Sequence, residues 1–157
     1  MRITFSRIVA ALFLAVGGAL TGLTAFGLVV ADVVVRSGRV SILPADAGML
    51  HDLVTAAPVV GAFGLVAFVS AIVLLADSRR ARAIGAIVSA TGTVIGLGLV
   101  ALVFAATGPF ASMPSDRFVD GLGIVGTYVA FNLVALVALV ADRSAKPASP
   151  ATAATVA

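Results

Sequence analysis

The sequence predicts an all-α membrane protein: four transmembrane helices in a bundle, built as a tandem repeat of a two-helix hairpin, with the N- and C-termini cytoplasmic. Hydrophobic residues make up 61% of the chain and charged residues 11%, whereas soluble domains are about one quarter charged. The apolar residues fall into four long runs. Residues 62–69 recur as residues 130–137 with two changes, and an internal repeat indicates a duplicated unit. A single polytopic domain over residues 1–157 is therefore expected.

The first predicted helix covers residues 8–35 and follows a short basic leader. Ile8 to Ala31 contains no charged residue, and about 20 apolar residues suffice to cross the roughly 30 Å of hydrocarbon in a bilayer. A cleaved signal peptide is the alternative interpretation, but its apolar part is only about 7–15 residues long. We therefore expect an uncleaved transmembrane helix.

Three more helices are predicted at residues 53–76, 83–107 and 119–141. Residues 36–52 are expected to form a loop that contains Pro44. Pro58 lies near the predicted start of the second helix, where a missing N–H costs little. A charged turn at residues 77–82 precedes the third helix. Residues 143–157 are rich in Ala, Ser, Thr and Pro and are expected to form a disordered tail.

The distribution of basic residues predicts the orientation. With a cytoplasmic N-terminus, seven of the ten Lys and Arg residues lie on the inner side and three on the outer loops, as the positive-inside rule requires. The expected location is the cell membrane, a bacterial inner membrane, and the lipid bilayer is an expected partner. The basic residues form no continuous stripe, so no nucleic-acid partner is expected.

The repeat extends beyond the duplicated stretch. Residues 20–46 align with residues 90–116 without a gap and are identical at eight of 27 positions. The match includes a loop proline and aspartate, Pro44 and Asp46 against Pro114 and Asp116. Repeat halves at about residues 8–77 and 78–142 follow. Because each two-helix unit returns to the side where it began, the halves should be parallel and related by a pseudo-two-fold axis along the membrane normal.

Small residues recur along one face of the predicted helices. Gly18 and Gly22 in the first helix, and Gly92 and Gly96 in the third, have the four-residue spacing of close helix contacts. In lipid, helices associate through van der Waals contact at such small residues. The pattern favours an accessory or scaffold subunit of a membrane complex that acts through helix–helix packing, with other membrane subunits or copies of itself as partners.

Three polar residues are candidate intramembrane or interface positions: Asp32, Tyr128 and Asn132. Asp32 is an ionisable residue near a helix end, which makes it a functional candidate, but Arg36 is placed to form an i,i+4 ion pair with it. Asn132 lies near mid-membrane, one helical turn after Tyr128, and the repeat places Gly64 at the equivalent position. Hydrogen bonding between helices is one interpretation of Asn132, and contact with a substrate is the other.

Charged residues also lie near both predicted membrane surfaces. Carboxylates and a histidine on the outer side can be read as ligands for a hard cation or, as we prefer, partly as helix N-caps: Asp46, His51, Asp52, Asp116 and Asp120. The caps would be Asp52 for the second helix and Asp116 or Asp120 for the fourth. On the inner side, Arg79, Arg80 and Arg82 are candidate contacts for anionic lipid headgroups, or they fix the topology.

No catalytic, cofactor-binding or metal-binding residue is predicted, and the chain is not expected to be an enzyme. The absence of cysteine excludes disulfides and thiolate chemistry. A single histidine leaves few candidates for general acid–base catalysis. An accessory or scaffold subunit is thus the expected function. The alternative is a small transporter or channel that works as a homo-oligomer, with a mid-membrane polar face formed by Tyr128 and Asn132.

Overall fold

A computed structural model describes residues 4–76, 78–105 and 118–144, which form four α-helices. Their bounds are α1 (Phe5–Arg36), α2 (Pro44–Leu74), α3 (Arg79–Ala105) and α4 (Phe118–Ser144). The most apolar window of each helix has a mean hydropathy between 2.1 and 2.4. All four helices are therefore long and apolar enough to span a membrane, which confirms the prediction of an all-helical, multi-pass membrane protein.

The second helix begins at Pro44 rather than at residue 53, so most of the predicted loop over residues 36–52 is helical. Leu43 is extended, with ψ at 146°, and Pro44 occupies the start of the helix, where its fixed φ and missing N–H are favourable. The preceding helix ends at Arg36, and Gly38, two residues later, has a φ of +71°, a conformation that favours glycine. As a result, Pro58 lies inside α2 rather than in its first turn.

The predicted charged turn at residues 77–82 is largely the first turn of α3. Ser78 stands immediately before the helix, and its Oγ accepts a hydrogen bond of 2.9 Å from the N–H of Ala81. This is the geometry of a serine N-cap. Arg79, Arg80 and Arg82 therefore belong to a helix and have fixed positions relative to one another.

The four helices form a ring in which each helix packs against its neighbours along the chain, and α1 also packs against α4. The contact between α1 and α2 is the most extensive, that between α3 and α4 is next, and that between α2 and α3 is the smallest. Gly18 lies against Gly64 and Phe68, and Ala25 lies against Gly61, so α1 and α2 run in opposite directions. The Gly18 and Gly64 backbones come so close that a Cβ on Gly18 would lie 2.6 Å from the Gly64 carbonyl oxygen.

The buried core lies in the half of the bundle that contains Thr4 and Asp142, which we call the terminal half. The half with the loop of residues 37–43 we call the loop half. The core consists of alanines and larger aliphatic side chains from all four helices: Ala10, Ala11, Leu14, Ala67, Ala71, Leu74, Val88, Ala135 and Leu139. Alanines let the helices approach closely, so van der Waals contact holds this half together.

Candidate functional site: a cavity at mid-membrane

A cavity of about 450 Å³ opens between the four helices, from the middle of the bundle into the loop half. Its walls include Thr21 and Thr24 of α1, Val60 and Phe63 of α2, Leu99 of α3, and Val125 and Tyr128 of α4, with the remaining positions Gly17, Leu20, Val59, Ile95, Gly123, Ile124, Thr127 and Phe131. None of these lining residues carries a charge. The volume falls within the roughly 300–1,000 Å³ of small-molecule sites.

The threonine hydroxyls in the wall are already engaged with their own helices. Thr21 Oγ1 donates to the Gly17 carbonyl at 2.6 Å, and Thr24 Oγ1 donates to the Leu20 carbonyl at 2.9 Å. Thr127 makes the same i to i−4 bond in α4, at 2.8 Å. Each threonine hydroxyl therefore donates its proton within its own helix and has no proton left to donate to a ligand in the cavity. The wall is chemically close to hydrocarbon.

Tyr128, one of the candidate intramembrane residues, is in the wall of this cavity. Its ring is half-buried and meets Phe63 of α2 edge to face, with ring centroids 6.2 Å apart. Edge-to-face pairs of this kind contribute about 0.5–1.5 kcal/mol beyond the area they bury. Phe13 and Phe131 pair in the same way at 5.5 Å, one turn further into the terminal half. The rings of Phe63, Tyr128 and Phe131 are thus part of the cavity wall.

Asn132 is buried in the middle of α4 but does not line the large cavity with Tyr128. Its Nδ2 donates a hydrogen bond of 2.9 Å to the Tyr128 carbonyl of its own helix, so this bond is not the inter-helix bond considered for it. Its Oδ1 has no hydrogen-bond partner among the described residues and rests against Gly92 of α3. Contact with a glycine Cα–H is a weak but recurrent partner for such an oxygen at helix interfaces.

Replacing Gly92 with alanine is expected to destabilise the bundle by about 1–3 kcal/mol, the usual cost of forcing extra atoms into a packed interface. The new Cβ would lie 2.6 Å from Asn132 Cγ. Asn132→Ala removes the side-chain atoms that the new Cβ would meet. In a double-mutant cycle, the effects of the two substitutions on the free energy of unfolding should therefore couple by about 1–2 kcal/mol. Unfolding by denaturing detergent measures each variant.

Gly98→Ala is the matched control for this cycle, because a Cβ on Gly98 meets nothing within 4 Å. It should leave stability unchanged within about 0.5 kcal/mol. Additive effects of Gly92→Ala and Asn132→Ala would show that the Asn132 side chain does not occupy this interface.

Asp32, the third candidate, is engaged in the ion pair that its spacing predicts. Arg36 Nε lies 2.8 Å from Asp32 Oδ2, and the Arg36 side chain is largely exposed at the end of α1. The pair lies at the edge of the loop half, away from the cavity. Exposed i,i+4 pairs contribute only about 0.3–0.5 kcal/mol, so this pair is a surface feature.

The predicted N-cap role of Asp52 is wrong, because Asp52 lies inside α2, whose N-cap is Leu43. The loop that Asp52 was expected to end is itself helical. Asp120 lies in the first turn of α4, and Asp116 falls outside the described residues. Within the described ranges, the His and Asp residues form no group of three that could hold a metal ion.

A buried ion cluster at the terminal half was not predicted from the sequence. Asp142 accepts hydrogen bonds from Thr4 Oγ1 at 2.5 Å, from Arg7 Nε at 3.3 Å and from Arg82 Nη1 at 3.3 Å. The side chains of Asp142 and Arg7 are 3% and 6% exposed. The cluster ties α1, α3 and α4 together. A carboxylate at the end of an apolar run was the available signal, but the sequence separation of 135 residues from Arg7 hides its partner.

The three arginines predicted to contact lipid headgroups have different environments in the structure. Arg82 belongs to the ion cluster and is largely buried, whereas Arg79 and Arg80 are exposed in the first turn of α3. The three arginines therefore do not form a uniform surface group.

Comparison with known proteins gives no match: no family model, no curated protein and no solved structure is significantly similar to the chain. The cavity and the ion cluster are therefore the features from which a function is inferred.

Proposed function

We propose that this chain is a small multi-pass membrane protein that binds a neutral, lipid-like molecule in the cavity between its helices. The ligand would have a single hydrocarbon chain. The observation that supports this function best is the chemistry of the wall, in which fifteen uncharged residues surround the space. An apolar wall of this kind favours binding of a hydrocarbon chain.

The absence of charge in the wall sets the class of ligand. A charged group at the centre of a bilayer costs about 2.5–3.5 kcal/mol or more unless a partner compensates it. The cavity wall offers no such partner, and its threonine protons are bound to backbone carbonyls. Ions and charged metabolites are therefore poor occupants, and an uncharged chain is a good one.

The size of the cavity agrees with a single chain. At about 30 Å³ for each water-sized group, a volume of about 450 Å³ holds roughly 15 such groups, which is close to the methylene count of a lipid chain. Several wall residues are also exposed, among them Leu20, Val59 and Ile124, so the cavity is not closed off from its surroundings. A chain could thus enter sideways from the bilayer.

This proposal develops the transporter alternative more than the accessory-subunit one. A mid-membrane cavity with Tyr128 in its wall is what a carrier of a neutral molecule needs, whereas an ion channel needs polar groups along its path. The accessory or scaffold role stays a prediction. The glycines that suggested it, Gly18, Gly92 and Gly96, contact neighbouring helices within the chain, so they do not identify a surface for another subunit.

The tandem repeat and the cytoplasmic termini are part of the same proposal. Under the repeat, Gly64 corresponds to Asn132 and Gly22 to Gly92. Gly64 approaches Gly22 at the α1–α2 contact, and Asn132 rests against Gly92 at the α3–α4 contact. Equivalent positions making equivalent contacts is what a duplicated two-helix unit would produce. With inner termini, the cavity would lie in the middle and outer part of the membrane.

The cavity is tested by filling it. Leu99→Phe adds bulk to its wall, and we expect binding of a neutral monoacylglycerol with a pyrene-labelled chain to weaken about tenfold or more, because the extra atoms compete with the ligand for the space. Fluorescence titration of the purified protein in detergent micelles measures this affinity.

Leu97→Phe is the control, because it is the same substitution two residues away. Leu97 is 55% exposed and is not in the cavity wall. It should bind the probe as the wild-type chain does. Equal affinity for all three proteins would place the probe outside the cavity and reject the proposed function.

A further inference from the structure

In the ion cluster of Thr4, Arg7, Arg82 and Asp142, a single carboxylate faces two guanidinium groups. Both oxygens of Asp142 are used, Oδ1 by Thr4 and Oδ2 by Arg7 and Arg82. Each arginine offers five N–H groups in a fixed fork and accepts none. Arg82 gives one of them to Asp142, and its Nε is buried without a hydrogen-bond partner among the described residues. This nitrogen is closed off inside the bundle, so a ligand at the surface can reach Arg82 only through the exposed 18% of its side chain.

The excess of positive charge around the cluster favours an anionic ligand. Among the described side chains, the terminal half carries Arg7, Arg79, Arg80 and Arg82 against the single carboxylate of Asp142, and Asp77 lies outside the described residues. Arg79 and Arg80 are exposed on the first turn of α3, and Arg79 lies about one turn before Arg82. Because apolar helices of membrane-spanning length end here, this is the level at which lipid headgroups lie.

We infer that this end of the bundle binds a phosphate group supplied by the headgroup of an anionic phospholipid. Arg79 and Arg82, which share a face of α3, hold it, and Arg80 adds positive charge beside them. Phosphate oxygens match the planar fork of arginine and accept two parallel hydrogen bonds. Asp142 holds Arg82 Nη1 from the protein side, so only the exposed part of the Arg82 side chain contacts the lipid. The site is independent of the cavity, since it lies in the opposite half and takes a charged group.

The test compares lipids that differ in headgroup alone. The full chain, purified in mild detergent, is mixed with phosphatidylglycerol or with phosphatidylcholine of the same acyl chains, and bound lipid is counted by native mass spectrometry. Wild-type protein should retain phosphatidylglycerol preferentially. At about fivefold in affinity for each basic residue at a membrane surface, the exposed double variant R79Q/R80Q should bind it roughly 25-fold more weakly.

The double variant R36Q/R39Q is the matched control, because it removes two arginines from the opposite end of the bundle and should keep the preference. The inference is wrong if the two lipids are retained equally, or if R36Q/R39Q loses as much as R79Q/R80Q. Thermal stabilisation by inorganic phosphate without lipid retention would assign the arginines to free phosphate and overturn the lipid assignment. Both altered pairs are exposed, so the variants are expected to fold.

Discussion

Replacing Asp142 with asparagine is expected to lower the free energy of unfolding by about 3–5 kcal/mol, the cost of removing one partner from a buried ion pair. The side chain keeps its shape and its bond to Thr4, but it loses the negative charge that faces Arg7 and Arg82. Since the Arg7 side chain is only 6% exposed, water cannot replace the lost charge in this position. Denaturing-detergent titration, followed through the fluorescence of the single tyrosine, measures the change.

Asp32→Asn is the control for this prediction, because it makes the same substitution in an ion pair whose arginine is 66% exposed. Its effect should stay near 0.3–0.5 kcal/mol. If Asp142→Asn were no more destabilising than Asp32→Asn, the cluster would not be a buried one in solution.

Replacing Gly18 with alanine is expected to cost about 3 kcal/mol, at the upper end of the range for overpacked interfaces. The added Cβ would lie 2.6 Å from the Gly64 carbonyl oxygen and 2.7 Å from the Phe68 nitrogen. Both atoms are backbone, so no side chain can rotate away and α1 must separate from α2. The clash outweighs the gain of up to about 1 kcal/mol in helix propensity that alanine brings.

Gly22→Ala, one turn along the same face, provides the comparison. A Cβ on Gly22 meets nothing within 4 Å, so this variant should be as stable as the wild-type chain or slightly more stable. The same unfolding titration applies to both variants. Equal stabilities for the two would mean that α1 and α2 are further apart than described.

Hydropathy predicts the four helices because the length of an apolar run is set by the bilayer, but it does not predict where the helices end. Beyond the hydrocarbon, a helix can continue through polar residues, and apolar content no longer marks it. Pro44 and Ser78 show this, since both begin helices at capping or first-turn positions that lie several residues outside the apolar runs. The signals that mark these helix starts are a proline and a serine, which hydropathy does not register.

The candidate site divides in the same way. Tyr128 could be selected from the sequence because a lone polar aromatic residue in an apolar span is conspicuous. The cavity could not be found, because it depends on how far apart four helices stand, and that distance is set by paired contacts such as Gly18 with Gly64. Asn132 stands out in the same way as a polar residue inside an apolar run, but its partner Gly92 depends on the alignment of α3 against α4.

The cluster at Asp142 also imposes an order on the synthesis of the protein. Arg7 enters the membrane with the first helix, whereas Asp142 is added 135 residues later. Until then, Arg7 has no contact with Asp142, and its charged head is best hydrated at the membrane surface. The cluster can therefore form only after the last helix has been made.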